Sequence, residues 1–147
     1  MAVKPIPDGY PRVTPVLVVE GAGKLLDFMK AAFGAQERMR MPTPDGKVAH
    51  AEVSIGDSVI MVADATPQFA PAQGNIHLYV EGVDDVFKRA LAAGAKSEME
   101  PADQFYGDRS GSVRDQFGNL WSIATHIEDV SDEEMMKRMA AMGPGQA

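Results

Sequence analysis

The sequence predicts an α+β fold in which one βαβββ unit occurs twice. Three observations carry this reading. The segment LVVEG at 17–21 returns as LYVEG at 78–82, an offset of 61 residues. At that offset the amphipathic stretch Gly21–Gly34 falls on Gly82–Ala95. The glycine-aspartate turn at 56–57 is answered, within one residue of the offset, by glycine-asparagine at 118–119. Self-similarity at a fixed period over a whole supersecondary unit is the mark of duplication.

Each element has a local reason. Residues 1–12 are proline-rich and read as an extended lead-in. Val13–Val19 is a run of mostly β-branched residues, read as a buried strand. In GAGKLLDFMKAAFGA, Leu25, Met29, Ala32 and Phe33 share one helical face, and Gly34 stands where a C-cap glycine belongs. Gln36–Met41 reads as a strand and PTPDGK as a turn. VAHAEVSI and SVIMVA read as a hairpin closed at Gly56-Asp57. A stretch rich in Pro, Ala and Gln then links module one (13–65) to module two (74–127), with the linker at 66–73. The second module repeats the order. Its last strand is entered by the turn Phe117-Gly118-Asn119. Beyond it, SDEEMMKRMAAMG is a helix with a capping box, Ser131 with Glu134, and a stripe of Met135, Met139 and Met142. Gly143-Pro144-Gly145 closes the ordered chain, and 128–147 is read as a C-terminal helix and tail.

Composition narrows the function classes. At 147 residues the chain is long enough for a proper core. There are no cysteines, which excludes disulfides, thiolate metal sites and a cysteine nucleophile. The formal net charge of −7 repels phosphate backbones and argues against a nucleic-acid partner. No apolar run approaches a membrane span and no signal peptide is seen, so no membrane partner and a cytoplasmic location are expected. No glycine-rich phosphate loop and no Ser-His-Asp spacing stands out.

Three segments carry a family resemblance: VTPVLVVEGAGKLLDFMKAAFGA, HAEVSIGDSVIMVAD and, most specifically, YGDRSGSVRDQFGNLWSIATHIEDVS. Together they resemble the vicinal oxygen chelate superfamily, the glyoxalase, bleomycin-resistance and dioxygenase group, and within it the PhnB-like branch. The resemblance spans roughly residues 10–127. It implies a glyoxalase-like fold in which the modules form a cupped mixed β-sheet with flanking helices, and a homodimer. The cup of such proteins binds a metal, a small molecule or both.

Metalloenzymes of the group place four ligands on four strands. Carried over by register, those positions are Thr14, Met61, Asn75 and Ser122, two pairs 61 residues apart. None is a good ligand for a divalent metal. Methionine sulfur is soft, and neutral Thr, Asn and Ser oxygens bind weakly. The expectation is therefore no cofactor and no metal at these positions. A relocated divalent metal on His50, His77 and His126, with Glu52 as an oxygen ligand, is the alternative. Strand parity puts Asn75, His77 and Tyr79 on one face, and Ser122, Ala124 and His126 on one face of another strand. Trp121 falls opposite Ser122, toward a helix or a partner subunit. In FYGDRSG, Arg109 could hold an anionic ligand, or pair with Asp108 or Asp115; Tyr106 and Asp108 lie in the same loop. Some PhnB-like relatives carry a methyltransferase label, but no glycine-rich turn after a strand supports a nucleotide-like cofactor here.

The leading expectation is a PhnB-like protein binding a small polar organic molecule through Thr14, His50, Met61, Asn75, His77, Tyr79, Arg109 and Ser122. The alternatives are a metal-dependent lyase, isomerase or dioxygenase, and a drug-sequestering resistance protein without chemistry. No catalytic residue is assigned.

Overall fold

A computed structural model describes residues 2–144. The first module comprises β1 (Val16–Val19), α1 (Ala22–Phe33), β2 (Gln36–Pro42), β3 (Val48–Ile55) and β4 (Ser58–Asp64). The second comprises β5 (Asn75–Tyr79), α2 (Val83–Ala92), β6 (Lys96–Asp103), β7 (Asp108–Arg114) and β8 (Leu120–His126), and α3 (Asp132–Met142) follows. The strands form two four-stranded mixed sheets, ordered β1-β4-β3-β2 and β5-β8-β7-β6. In each, the first strand runs parallel to the fourth and the remaining pairs are antiparallel.

The ladders superpose residue on residue. Val16 pairs with Met61 in one sheet and His77 with Ser122 in the other, so both partners move by 61. Gln36 pairs with Ser54, and Lys96 with Arg114, so here both move by 60. One residue is lost before the second strand of module two and regained in its last turn. That accounts for the turn matching only to within one residue.

Helix entry is solved at the same place in both modules. Gly21 and Gly82, 61 residues apart, precede the helices with positive φ of 107° and 69°, which glycine adopts without strain. Neither supplies a side chain to cap, so the end of the fourth strand does. Asp64 Oδ1 accepts from Gly21 N and Ala22 N at 2.8 and 2.9 Å, while its Oδ2 accepts from Val48 N at 2.7 Å. Burial opposes the charge of Asp64, but these three donors outweigh it and hold the carboxyl below its usual range. Thr125 does the equivalent work for α2, accepting from Val83 N at 3.0 Å and donating to Val80 O at 2.7 Å.

The helices pack against each other and against the inner faces of the sheets, giving one core across both modules. Leu25, Leu26 and Met29 of α1 are fully buried; each such side chain contributes about 1.5–3 kcal/mol. Trp121 of β8 is also fully buried, with its ring 4.7 Å from Phe33 and 6.4 Å from Phe28. Its indole N–H donates to Asp115 Oδ2 at 2.8 Å. Asp115 also accepts from Phe117 N, Asn119 N and Asn119 Nδ2, so one buried carboxylate organises the turn into β8.

Two local expectations are corrected, and the last helix adds a detail. β1 begins at Val16, because Pro15 has no N–H to give a ladder and Val13 stays exposed. α2 ends at Ala92, short of Ala95, where Gly94 turns the chain at φ 111°. In α3, Ser131 Oγ accepts from Glu134 N as the capping box requires, but the helix buries none of its residues. It is held by Arg138, which donates to Phe105 O at 3.1 Å and to Glu128 at 2.7 Å. Gly145 lies outside the described residues. No helix among the described residues is long and apolar enough to cross a membrane.

Candidate functional site

The sheet faces turned away from the helices carry nearly all the candidate residues, because strand alternation sends their neighbours to the core. In β3, Ala51 and Val53 are core residues, so His50 and Glu52 face outward. In β8, Trp121 and Ile123 are core residues, so Ser122, Ala124 and His126 face outward. The rows across the two outer faces correspond: Val16, Met61, Glu52 and Met39 on the first sheet, and His77, Ser122, Ser112 and Met99 on the second.

The first face is closed over the Glu52 carboxylate. Glu52 is 5% exposed. The Tyr10 hydroxyl, arriving from the lead-in, donates to Glu52 Oε1, and His50 Nε2 lies 2.8 Å from Glu52 Oε2. The Tyr10 bond, and then His50, hold the Glu52 carboxyl below its usual range despite burial. In return Glu52 raises the Tyr10 phenol. The Arg38 guanidinium sits 4.5 Å above the Tyr10 ring and donates to Gly9 O at 3.2 Å, which fastens the lead-in as a strap across this sheet. Around this cluster the face is apolar, with Val16, Met39, Met41 and Met61.

The second face is polar and open. His77, Ser122 and Ser112 form one cross-strand row, and none of their side chains makes a hydrogen bond among the described residues. At its end the side chain of Tyr79 reaches across β8 to Asp108 on β7, donating to Oδ2 at 2.8 Å. Asp108, 3% exposed, also meets His126 Nδ1 at 2.8 Å through Oδ1, and His126 Nε2 lies 2.8 Å from Asp129. The bond to Asp108, then that to Asp129, raises the His126 imidazole above its ordinary value, and Asp108 likewise raises the Tyr79 phenol. The His77 and Tyr79 rings stand 4.8 Å apart, edge to face at 69°.

The candidates thus divide between two sheets. Thr14 is half-buried in the lead-in beside Pro15, whose carbonyl accepts from Met61 N at 3.0 Å. His50 and Met61 lie on the first outer face. Asn75, His77, Tyr79 and Ser122 lie together on the second. Arg109 stands apart: on β7 it shares parity with the core residue Val113, its cross-strand partners are Thr125 of β8 and Asp103 of β6, and it points to α2. There it grips Asp84 with two bonds of 2.9 and 3.0 Å and Asp103 with one of 3.0 Å. Neither Asp108 nor Asp115 is its partner. Asp108 and His126 matter more than the sequence suggested, and parity with Ser110 and Ala124 was the signal that placed them outward. Among the described residues, no three His, Asp or Glu side chains group to hold a metal ion. His50 is on a different sheet from His77 and His126. A cavity of about 370 Å³ opens at the seam between the modules, lined by Val13, Pro15, Ile60, Ile76, His77 and Leu78. Elsewhere, Ala72 N donates to Val18 O at 3.1 Å, joining the linker to the edge of the first sheet.

The duplicated ladder and the paired helix entries set the frame for comparison with known proteins. The model of the Glyoxalase/Bleomycin resistance protein/Dioxygenase superfamily matches residues 12–123. The chain belongs to this superfamily. An uncharacterized protein of Mycobacterium bovis is 38% identical over 146 residues, covering 92% of this chain and 96% of that protein. The crystal structure of TioX from Micromonospora sp. ML1 superposes with a TM-score of 0.68 at 25% identity, covering 80% of this chain and 99% of TioX. A Bacillus cereus structure described as a putative 3-demethylubiquinone-9 3-methyltransferase, PhnB protein, gives a TM-score of 0.63 at 20% identity, covering 78% and 99%. This last likeness shows the fold alone. As a member of the superfamily, the chain keeps the duplicated frame while its two outer faces carry different chemistry.

Proposed function

We propose that this superfamily member, in the manner of the PhnB-like branch, binds a small polar organic molecule on the outer face of its second sheet. The observation that carries the reading is the row His77, Ser122 and Ser112. These are three adjacent side chains able to donate and accept, none hydrogen-bonded among the described residues, with an exposed aromatic ring beside them. Unoccupied polar groups placed side by side on rigid strands fix the orientation of a ligand at little conformational cost. The four family ligand positions, Thr14, Met61, Asn75 and Ser122, supply neither imidazole nor carboxylate, which favours binding without a metal at those positions. The protein works as a homodimer in the cytoplasm in this reading. A thermal-shift screen of small polar organic molecules tests it. Ligands that stabilise the wild type should lose most of their effect on His77→Ala, whose fold should remain intact because His77 is exposed. Unchanged stabilisation of that variant would remove the site.

A further inference from the structure

Resting on the reading above, the geometry points to an organic cation, a quaternary or protonated amine, as the ligand class of the second face. We infer this from what is left free at the site once its internal bonds are made.

The first element is the aromatic corner. Tyr79 is 62% exposed, yet its hydroxyl is committed to Asp108. The phenol is therefore not the recognition group, and the ring face is. A phenol that donates to a carboxylate carries more electron density in its ring, which strengthens attraction of a cation to that face. The His77 ring, edge-on at 4.8 Å, closes one side of the corner.

The second element is charge. Asp108 lies directly behind the Tyr79 hydroxyl and Asp129 is fully exposed at the rim. The basic side chain at this end, His126, has both ring nitrogens turned to those carboxylates. Arg114, at the other end of the face, is held by Glu98 at 2.6 Å and by Gly118 O at 2.8 Å. Arg109 is on the opposite face. Lys96, exposed beside Arg114, is the unpaired cation of this face among the described residues, but it lies at the end away from Tyr79. At the Tyr79 end an incoming anion would find no free positive charge among the described residues and would face a chain of net charge −7.

The third element is independent of both. Ser110, next along the strand between Asp108 and Ser112, is 4% exposed, and its hydroxyl makes no hydrogen bond among the described residues. No side-chain N or O that is itself fully buried lacks a partner among them. The hydroxyl is thus the part of Ser110 that still meets solvent. It is an unpartnered polar group in the same cross-strand row as Tyr79, with Ala124 between them, within reach of a ligand's polar substituent.

The test uses three probes of one shape: benzyltrimethylammonium, benzyl alcohol and benzoate, titrated into the full chain by amide and side-chain NMR. The cation should shift His77, Tyr79 and Ser110–Ser112 in a saturable way, with benzyl alcohol weaker and benzoate weakest. Tyr79→Leu should weaken the cation about tenfold, and Tyr79→Phe, which keeps the ring, should stay within about threefold of wild type. Benzoate equal to or tighter than the cation, no response to the cation at this face, or unchanged affinity in Tyr79→Leu would each overturn the inference. The charge ranking needs only wild-type protein, so a misfolded leucine variant leaves the test standing. His77-dependent binding of benzyl alcohol without preference for the cation would overturn this inference while upholding the small-polar-molecule reading.

Discussion

The outer faces of the two sheets are built on one frame and have opposite chemistry. Glu52 and Ser112 occupy equivalent places in their rows, as do Met61 and Ser122, and Val16 and His77. On the first sheet the polar group is buried, saturated by Tyr10 and His50, and covered by the lead-in. On the second the polar groups are several, open and unoccupied. Duplication fixes where side chains point, because register and parity are properties of the backbone ladder. It leaves free what those side chains are, so one face can close on itself and the other can receive a ligand.

The same contrast holds at the turns, and there the largest effect is expected. The first module turns on exposed Gly56-Asp57, while the second turns on Asp115, which satisfies Trp121 Nε1 and three other donors. Asp115→Ala leaves several buried donors without partners and should cost at least about 3 kcal/mol in urea unfolding. Asp57→Ala should stay within about 0.5 kcal/mol. Similar costs at both turns would break the asymmetry.

The strap gives a smaller effect. Tyr10→Phe removes a hydrogen bond to a buried carboxylate and should cost about 2 kcal/mol. It should also speed proteolysis within residues 1–12. Tyr79→Phe removes the matching bond on the open face, where water can substitute, and should cost about 1 kcal/mol. A larger cost at Tyr79 would mean that the second face is the closed one.

The smallest expected effect is in the pH dependence, where the carboxylates of the first module and His126 of the second act with opposite signs. Glu37 is held at about 2 by Arg40, and then by Lys30. With the lowered Glu52 and Asp64, it contributes stability that is full above the unfolded carboxylate range and lost as pH falls toward 2. His126 is raised by Asp108 and Asp129, so its contribution is full below about 6.5 and lost as pH rises through the folded value. In melting temperatures across pH, His126→Gln should flatten the alkaline side alone, and Glu52→Gln the acid side alone. A His126 variant that changes only the acid side would contradict the assignment.

The frame was legible in the sequence because it is periodic. The 61-residue echo located both modules, and period-2 alternation put Trp121 inward and Ser122 outward. What was not legible is partnership across long separations. Tyr10 and Glu52 are 42 residues apart, and Tyr79 and Asp108 are 29 apart. No local pattern announces either pair. Arg109 was open to misreading as ligand-binding because its loop neighbours are polar, yet it shares parity with Gly111 and Val113, and Val113 is a core residue. Strand alternation therefore held the information that it faces α2, but Asp84 as its partner comes from the helix packing. Asp64 and Thr125 as helix caps were hidden for the same reason, since each lies more than 40 residues from the helix-entry N–H groups it caps.

The most direct measurement compares the two faces with one ligand. A compound found by thermal shift is titrated calorimetrically into wild type, His77→Ala and Met61→Leu. The account predicts that His77→Ala weakens binding at least about tenfold, while Met61→Leu, on the apolar outer face of the first sheet, leaves it within about twofold of wild type. Loss of binding in Met61→Leu with full binding in His77→Ala would place the ligand on the first face and contradict the account.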